Sequence, residues 1–137
     1  MSQFWPSLLS LALAASTTNQ FIHPSVDSGK CLTAASNSDG APVTISDCIT
    51  TGDASSQSWT TGSGTLVLYG NKCLDVTGGV AASGTRLQIW TCTTNDANQA
   101  WSTGGASGSI TWNGPDWCLD LTKGADADGT VVCLFPV

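Results

Sequence analysis

Five side chains between Cys73 and Trp101 could together hold a small polyhydroxylated ring: Asp75, Gln88, Trp90, Asn98 and Gln99. A sugar presents an apolar face of C–H groups and a rim of hydroxyls. The broad apolar surface of a Trp takes the face. An ionised carboxylate accepts from two neighbouring hydroxyls through charge-assisted bonds. The amides of Asn and Gln donate and accept, so they read hydroxyl orientation. The plainer alternative makes Asp75 a turn cap and Trp90 an isolated exposed aromatic. The chain offers no nucleophile–base pair and no phosphate-binding glycine loop. Its only histidine is His23 and no Cys-x-x-Cys occurs, so no metal-ligand set is read. No catalytic residue, metal or cofactor is expected.

The elements that position these groups must be short strands. Gly, Ser, Thr and Asn are abundant and there are six Trp among 137 residues, which suits strands and turns rather than helices. Regular apolar pairs and the cysteines argue against a disordered polar chain. Only 10 % of residues are charged, every acid is Asp, and the formal net charge is −6. The four basic residues, Lys30, Lys72, Arg86 and Lys123, are too few for a nucleic-acid surface.

Residues 1–16 differ from the rest. An apolar run from Leu8 to Ala15 precedes small residues, and Ala12-Leu13-Ala14 fits a small-x-small cleavage site. The segment reads as a signal peptide without a basic start, cleaved near Ala15 to Thr17. The run is too short to span a bilayer, which takes about 20 apolar residues, so no membrane insertion is expected. Export implies an oxidising compartment, a secreted extracellular protein and paired cysteines. The alternative is an N-terminal helix kept in the mature chain.

The remainder, residues 17–137, holds three copies of one unit, over about 19–61, 62–105 and 106–137. Cys31-Leu32, Cys73-Leu74 and Cys118-Leu119 recur 42 and 45 residues apart, and Gln57-Ser58-Trp59 and Gln99-Ala100-Trp101 recur 42 apart. A Gly opens each returning strand: Gly40, Gly84 and Gly129. Strand alternation then sorts the faces. Val43/Ile45, Leu87/Ile89 and Val132/Leu134 form the core face. Thr44/Ser46, Gln88/Trp90 and Cys133/Phe135 form the other, which points Trp90 away from the core. Trp59 and Trp101 read as buried structural residues, each beside a Gln that bonds backbone. Cys31–Cys48 and Cys73–Cys92 join the arms of local hairpins, each staple worth about 3 kcal/mol in the chain-entropy account.

These repeats, with Cys-Leu-Asp, an alternating strand and Gln-x-Trp, resemble the ricin B-chain type lectin domain, which also occurs as a carbohydrate-binding module on secreted glycosidases. The resemblance runs from about Asn19 to the end. It implies an all-β fold, a β-trefoil with pseudo-threefold symmetry, binding galactose-type or related sugars in shallow pockets on glycans or glycoproteins. The family's pocket residues map onto copy two at Asp75, Gln88, Trp90, Asn98 and Gln99. Copy one has Thr33, Thr44, Ser46 and Ser56, with only Gln57 kept, so its pocket is read as dead. Copy three keeps Asp120 and Phe135 as a vestigial second site, with Cys133 in place of the Gln. One working site is expected, in the second repeat.

Three other readings compete. A glycosidase would need two carboxyls flanking a cleft about 5 to 9.5 Å apart. Asp75 and Asp120 occupy equivalent places in different repeats and would not face each other. The chain could instead be an orphaned carbohydrate-binding module of such an enzyme, or a β-trefoil protease inhibitor acting through a loop, since fold does not settle function.

The third copy looks incomplete. One repeat beyond Trp101 lies past Val137, so a third Gln-x-Trp and the C-terminal strand carrying it are read as missing. Stepping from Cys118 by the Cys73–Cys92 interval lands on Val137, not on a cysteine. Cys118 and Cys133 are therefore expected to be free or joined with distorted geometry. The opening strand around Phe21 and Ile22 should lack its barrel neighbour, an apolar edge that favours homo-oligomers.

Overall fold

The computed structural model describes residues 4–6, 17–103 and 108–137. Thirteen short strands follow in chain order: β1 Phe4–Pro6, β2 Thr17–Gln20, β3 Ile22–Pro24, β4 Lys30–Ala34, β5 Ala41–Asp47, β6 Trp59–Thr61, β7 Val67–Leu68, β8 Lys72–Val76, β9 Leu87–Thr91, β10 Trp101–Ser102, β11 Thr111–Trp112, β12 Trp117–Leu121 and β13 Val132–Pro136. Three short 3-10 turns, Thr77–Gly79, Ala97–Gln99 and Thr122–Gly124, are the only helical elements among the described residues. No described helix is long and apolar enough to cross a membrane.

Each repeat is built around one hairpin: β4/β5, β8/β9 and β12/β13. The registers coincide, with Cys31 opposite Ser46, Cys73 opposite Trp90 and Cys118 opposite Phe135. The three hairpins lock into a ring through the glycines that open the returning strands. Gly40 N donates to Ile89 O at 2.9 Å, Gly84 N to Leu134 O at 2.8 Å and Gly129 N to Ile45 O at 2.8 Å. Their φ angles of 83°, 86° and 82° lie where a side chain is strained and glycine is not. The same bond thus recurs three times, each time from one repeat to another, and this is the pseudo-threefold axis of a β-trefoil in hydrogen-bond form.

The alternation read from the sequence places the core correctly. Val43, Ile45, Leu87, Ile89, Val132 and Leu134 are all buried in one cluster with Leu32, Leu74 and Leu119. Trp59 and Trp101 join that cluster, and their indole Nε1 atoms donate to Leu32 O at 3.0 Å and Leu74 O at 2.9 Å. Truncating a Trp of this kind to Ala costs about 3–5 kcal/mol. The two staples form as expected, with Cα separations of 5.1 Å for Cys31–Cys48 and 5.0 Å for Cys73–Cys92. Cys118 and Cys133 are free and buried. Val137 takes the staple position of repeat three, because its N–H donates to Asp116 O just as Cys48 N does to Gly29 O and Cys92 N to Asn71 O.

One expectation is corrected. The edge at Ile22 is not left unpaired: β1 pairs with β3, Phe4 opposite Pro24, Trp5 opposite His23 and Pro6 opposite Ile22. In the other repeats the corresponding contacts are β6 on β7 and β10 on β11. The place expected to be empty for want of a third Gln-x-Trp strand is held by the N-terminal segment, whose fully buried Phe4 removes an apolar edge from water. The rest of the expected leader, residues 1–3 and 7–16 with the Ala12–Ala14 site, lies outside the described residues.

Candidate functional site

Asp75 and Gln88 face each other across the β8/β9 hairpin. Gln88 Nε2 donates to Asp75 Oδ1 at 2.9 Å, and Gln99 Nε2 donates to Asp75 Oδ2 at 3.1 Å. Each carboxylate oxygen is thus held by one amide and keeps capacity to accept a further hydroxyl. Asp75 is only 4 % exposed. Burial raises its pKa above the usual aspartate value; the two amide donors oppose that shift, and the charge of Asp96 adds to it.

Trp90 follows two residues after Gln88 on the same face and is 43 % exposed. The hairpin loop of repeat one approaches it from the side: a Cβ on Gly40 would stand 3.6 Å from Trp90 Cζ3. Asn98 sits in the 3-10 turn Ala97–Gln99, whose start is capped by Asp96, with Asp96 Oδ1 accepting from Asn98 N at 2.9 Å. The turn Thr77–Gly79 closes the other side. A Cβ on Gly79 would lie 2.5 Å from Asn98 Oδ1, and its φ is 64°, so only glycine leaves Asn98 room.

Asp75, Gly78, Gln88, Trp90, Asp96 and Asn98 together line an open pocket of about 180 Å³. This is small beside the roughly 300–1,000 Å³ of drug-sized ligand pockets, and it suits one ring or the end of a chain. A larger open cleft of about 740 Å³ lies between repeats one and two, near Asn19, Asp53, Ser58 and Tyr69. It lacks the carboxylate braced by two amides.

Four of the five residues read from the sequence line the small pocket. Gln99 does not. It is 1 % exposed, its Nε2 also donates to Thr91 O at 3.2 Å, and its Oε1 accepts from Thr93 N at 3.0 Å. It braces Asp75 from below. Asp96, Gly78 and Gly79 were missed by reading residue types alone. The Gly78-Gly79 pair, three residues after Asp75, was the available signal, because such a pair marks a positive-φ turn.

The other repeats show why one pocket stands out. In repeat one, Thr33 Oγ1 and Ser46 Oγ are 2.8 Å apart, and Gln57 Nε2 donates to both at 3.0 Å and to Asp47 O at 2.9 Å. The polar groups there satisfy one another. In repeat three, Asp120 is buried opposite Cys133, and Leu121 N donates to its Oδ1 at 2.8 Å. Cys133, in the place of Gln88, offers no amide, burial raises the Asp120 pKa, and Phe135 is half-buried. His23 Nδ1 lies 3.6 and 3.5 Å from the sulfurs of Cys31 and Cys48. Both sulfurs are committed to their disulfide, so the trio does not form a metal site while that bond is intact.

A model of the ricin-type β-trefoil lectin domain matches residues 19–136. The chain belongs to that family. Such domains bind glycans and their fold is not a catalytic one. Among solved structures, the solution structure of the mdaA-1 domain is similar, with a TM-score of 0.66 and 24 % identity over 80 % of this chain and 74 % of that one. That likeness supports the fold. The search of curated proteins gave no match.

Proposed function

We propose that this chain is a secreted lectin that recognises galactose-type or related sugars mainly through its second repeat. The observation that carries this reading is the Asp75 carboxylate braced by Gln88 and Gln99 beside an exposed Trp90. Trp90 supplies the stacking plate and Asp75 the acceptor for two adjacent hydroxyls. Gln88 and Asn98 read hydroxyl orientation from the pocket wall. Gln99 positions Asp75 and does not itself meet the sugar. Two formed disulfides favour an oxidising, extracellular location.

A shallow open site of this kind binds weakly alone, and useful affinity comes from presenting several copies to a branched glycan. With β3 covered by β1, that edge no longer motivates self-association. A glycan array probed with the purified chain tests the reading. Signal confined to glycans with terminal galactose-type sugars is expected, and an array without sugar-dependent signal would refute it.

A further inference from the structure

Phe4 stands where Trp59 and Trp101 stand. Thr60 pairs with Val67, which sets Trp59 opposite Leu68; Trp101 pairs with Trp112; Phe4 pairs with Pro24. Pro24, Leu68 and Trp112 are equivalent by burial. Each is buried, each follows a half-buried residue (His23, Val67, Thr111), and each of those follows a buried aliphatic (Ile22, Leu66, Ile110). Phe4 is fully buried in the same cluster as the two Trp residues. The tripeptide Gln3-Phe4-Trp5 also spells Gln-x-Trp, but the register puts Phe4 in the buried slot and pairs Trp5 one place along, with His23.

We propose that the edge of β3 is an acceptor site for a short extended strand bearing one buried aromatic side chain, and that residues 4–6 of this chain are its resident occupant. Residues 4–6, which fall within the segment that reads as a cleavable leader, are then the closing strand of repeat three and stay in the folded protein; the extracellular location proposed above then rests on the two disulfides alone. The threefold arrangement explains why an aromatic is wanted. Trp59 packs under its own hairpin and donates to Leu32 O, and Trp101 does the same to Leu74 O. The equivalent carbonyl of repeat three belongs to Leu119, to which a phenyl ring cannot donate. Losing this strand would expose Ile22 and open the barrel on the side of repeat three.

The test begins with intact mass and N-terminal sequencing of folded protein. The proposal expects a chain that still carries residues 4–6; a folded chain starting near Ala15 to Thr17 would overturn it. Phe4→Asp, which puts a charge in the slot, should lower Tm by about 10 °C or more, as loss of a buried aromatic does in a domain of this size. Phe4→Trp should melt at or above the wild type, because it supplies the missing donor toward Leu119 O. If Phe4→Asp cannot be isolated folded, Phe4→Trp alone decides: a clear fall in its Tm would mean the slot is not that of Trp59 and Trp101. Phe4→Asp melting with the wild type would likewise overturn the proposal. Sugar binding is not a readout, so the outcome is independent of the lectin reading.

Discussion

Asp75 and Asp120 occupy the same place in two repeats, yet only Asp75 has an amide partner across its hairpin. Gln88 faces Asp75 and donates to it at 2.9 Å, whereas Cys133 faces Asp120. A buried carboxylate is tolerable when its oxygens accept hydrogen bonds and costly when they do not. Asp75 therefore stays available as an oriented acceptor at the floor of a pocket. Asp120 turns to the backbone N–H of Leu121. The contrast predicts where a sugar binds and where it does not.

Gln99 and Gln57 separate bracing from general support. Both bond the backbone, Gln99 to Thr91 O and Thr93 N, Gln57 to Asp47 O and Ile49 N. Only Gln99 also holds a site carboxylate. Either Gln→Ala change should destabilise by about 1–3 kcal/mol through buried groups left unpaired. Gln99→Ala alone should weaken sugar binding, by about tenfold if roughly 1.4 kcal/mol of orientation is lost. Urea unfolding and sugar titration of the two variants check this.

The pH dependences of binding and stability should oppose each other. Burial raises the pKa of Asp75 and of Asp120, and the proposed site uses Asp75 in its ionised form. Sugar affinity should fall on acidification, beginning above the unperturbed aspartate value of about 3.9. For folding, a raised carboxyl pKa means the folded state holds protons that the unfolded state has released. The stability these groups contribute is present below the unfolded value and is lost as pH rises through the folded one. Titrations over a pH series show the first effect, and Asp75→Asn should bind weakly with no such pH dependence.

Gly79→Ala should damage the pocket more than the fold. The new Cβ would stand 2.5 Å from Asn98 Oδ1. Asn98 can swing away, so the steric cost is small, while the φ of 64° adds about 1 kcal/mol for a side chain. Sugar affinity should fall several-fold with a Tm change of only a few degrees, read by titration and thermal melts.

Val137→Cys should create the staple that repeat three lacks. Val137 N bonds Asp116 O as Cys48 and Cys92 bond their own repeats, and Cys118 is free. A bond to Cys118 should raise stability by about 3 kcal/mol on the loop-entropy account. Thiol counting under denaturing conditions should find two thiols in the wild type and one, Cys133, in the variant.

Much of this was legible in the sequence because a trefoil repeats its rules. The alternation Val43/Ile45, Leu87/Ile89 and Val132/Leu134 set the core face, and the cysteine spacing set the two staples. The role of Gln99 was not legible, since spacing does not say whether an amide points at solvent or at a neighbouring carboxylate. The strand Phe4–Pro6 was not legible either. Three residues carry no periodicity, the apolar run that follows them reads as a leader, and their partner β3 lies beyond that run. The ring of Gly40, Gly84 and Gly129 bonds is tertiary in the same way: each glycine marked a turn, but its acceptor lies in another repeat.

The most direct measurement is a calorimetric titration of galactose against the wild type, Asp75→Ala and Trp90→Ala, with folding of each variant checked by its thermal melt. One saturable site per chain is expected in the wild type and no measurable binding in either variant, both of which remain folded. Equal binding by the wild type and folded Asp75→Ala would contradict it, because the acceptor at the centre of the proposed site would then be dispensable.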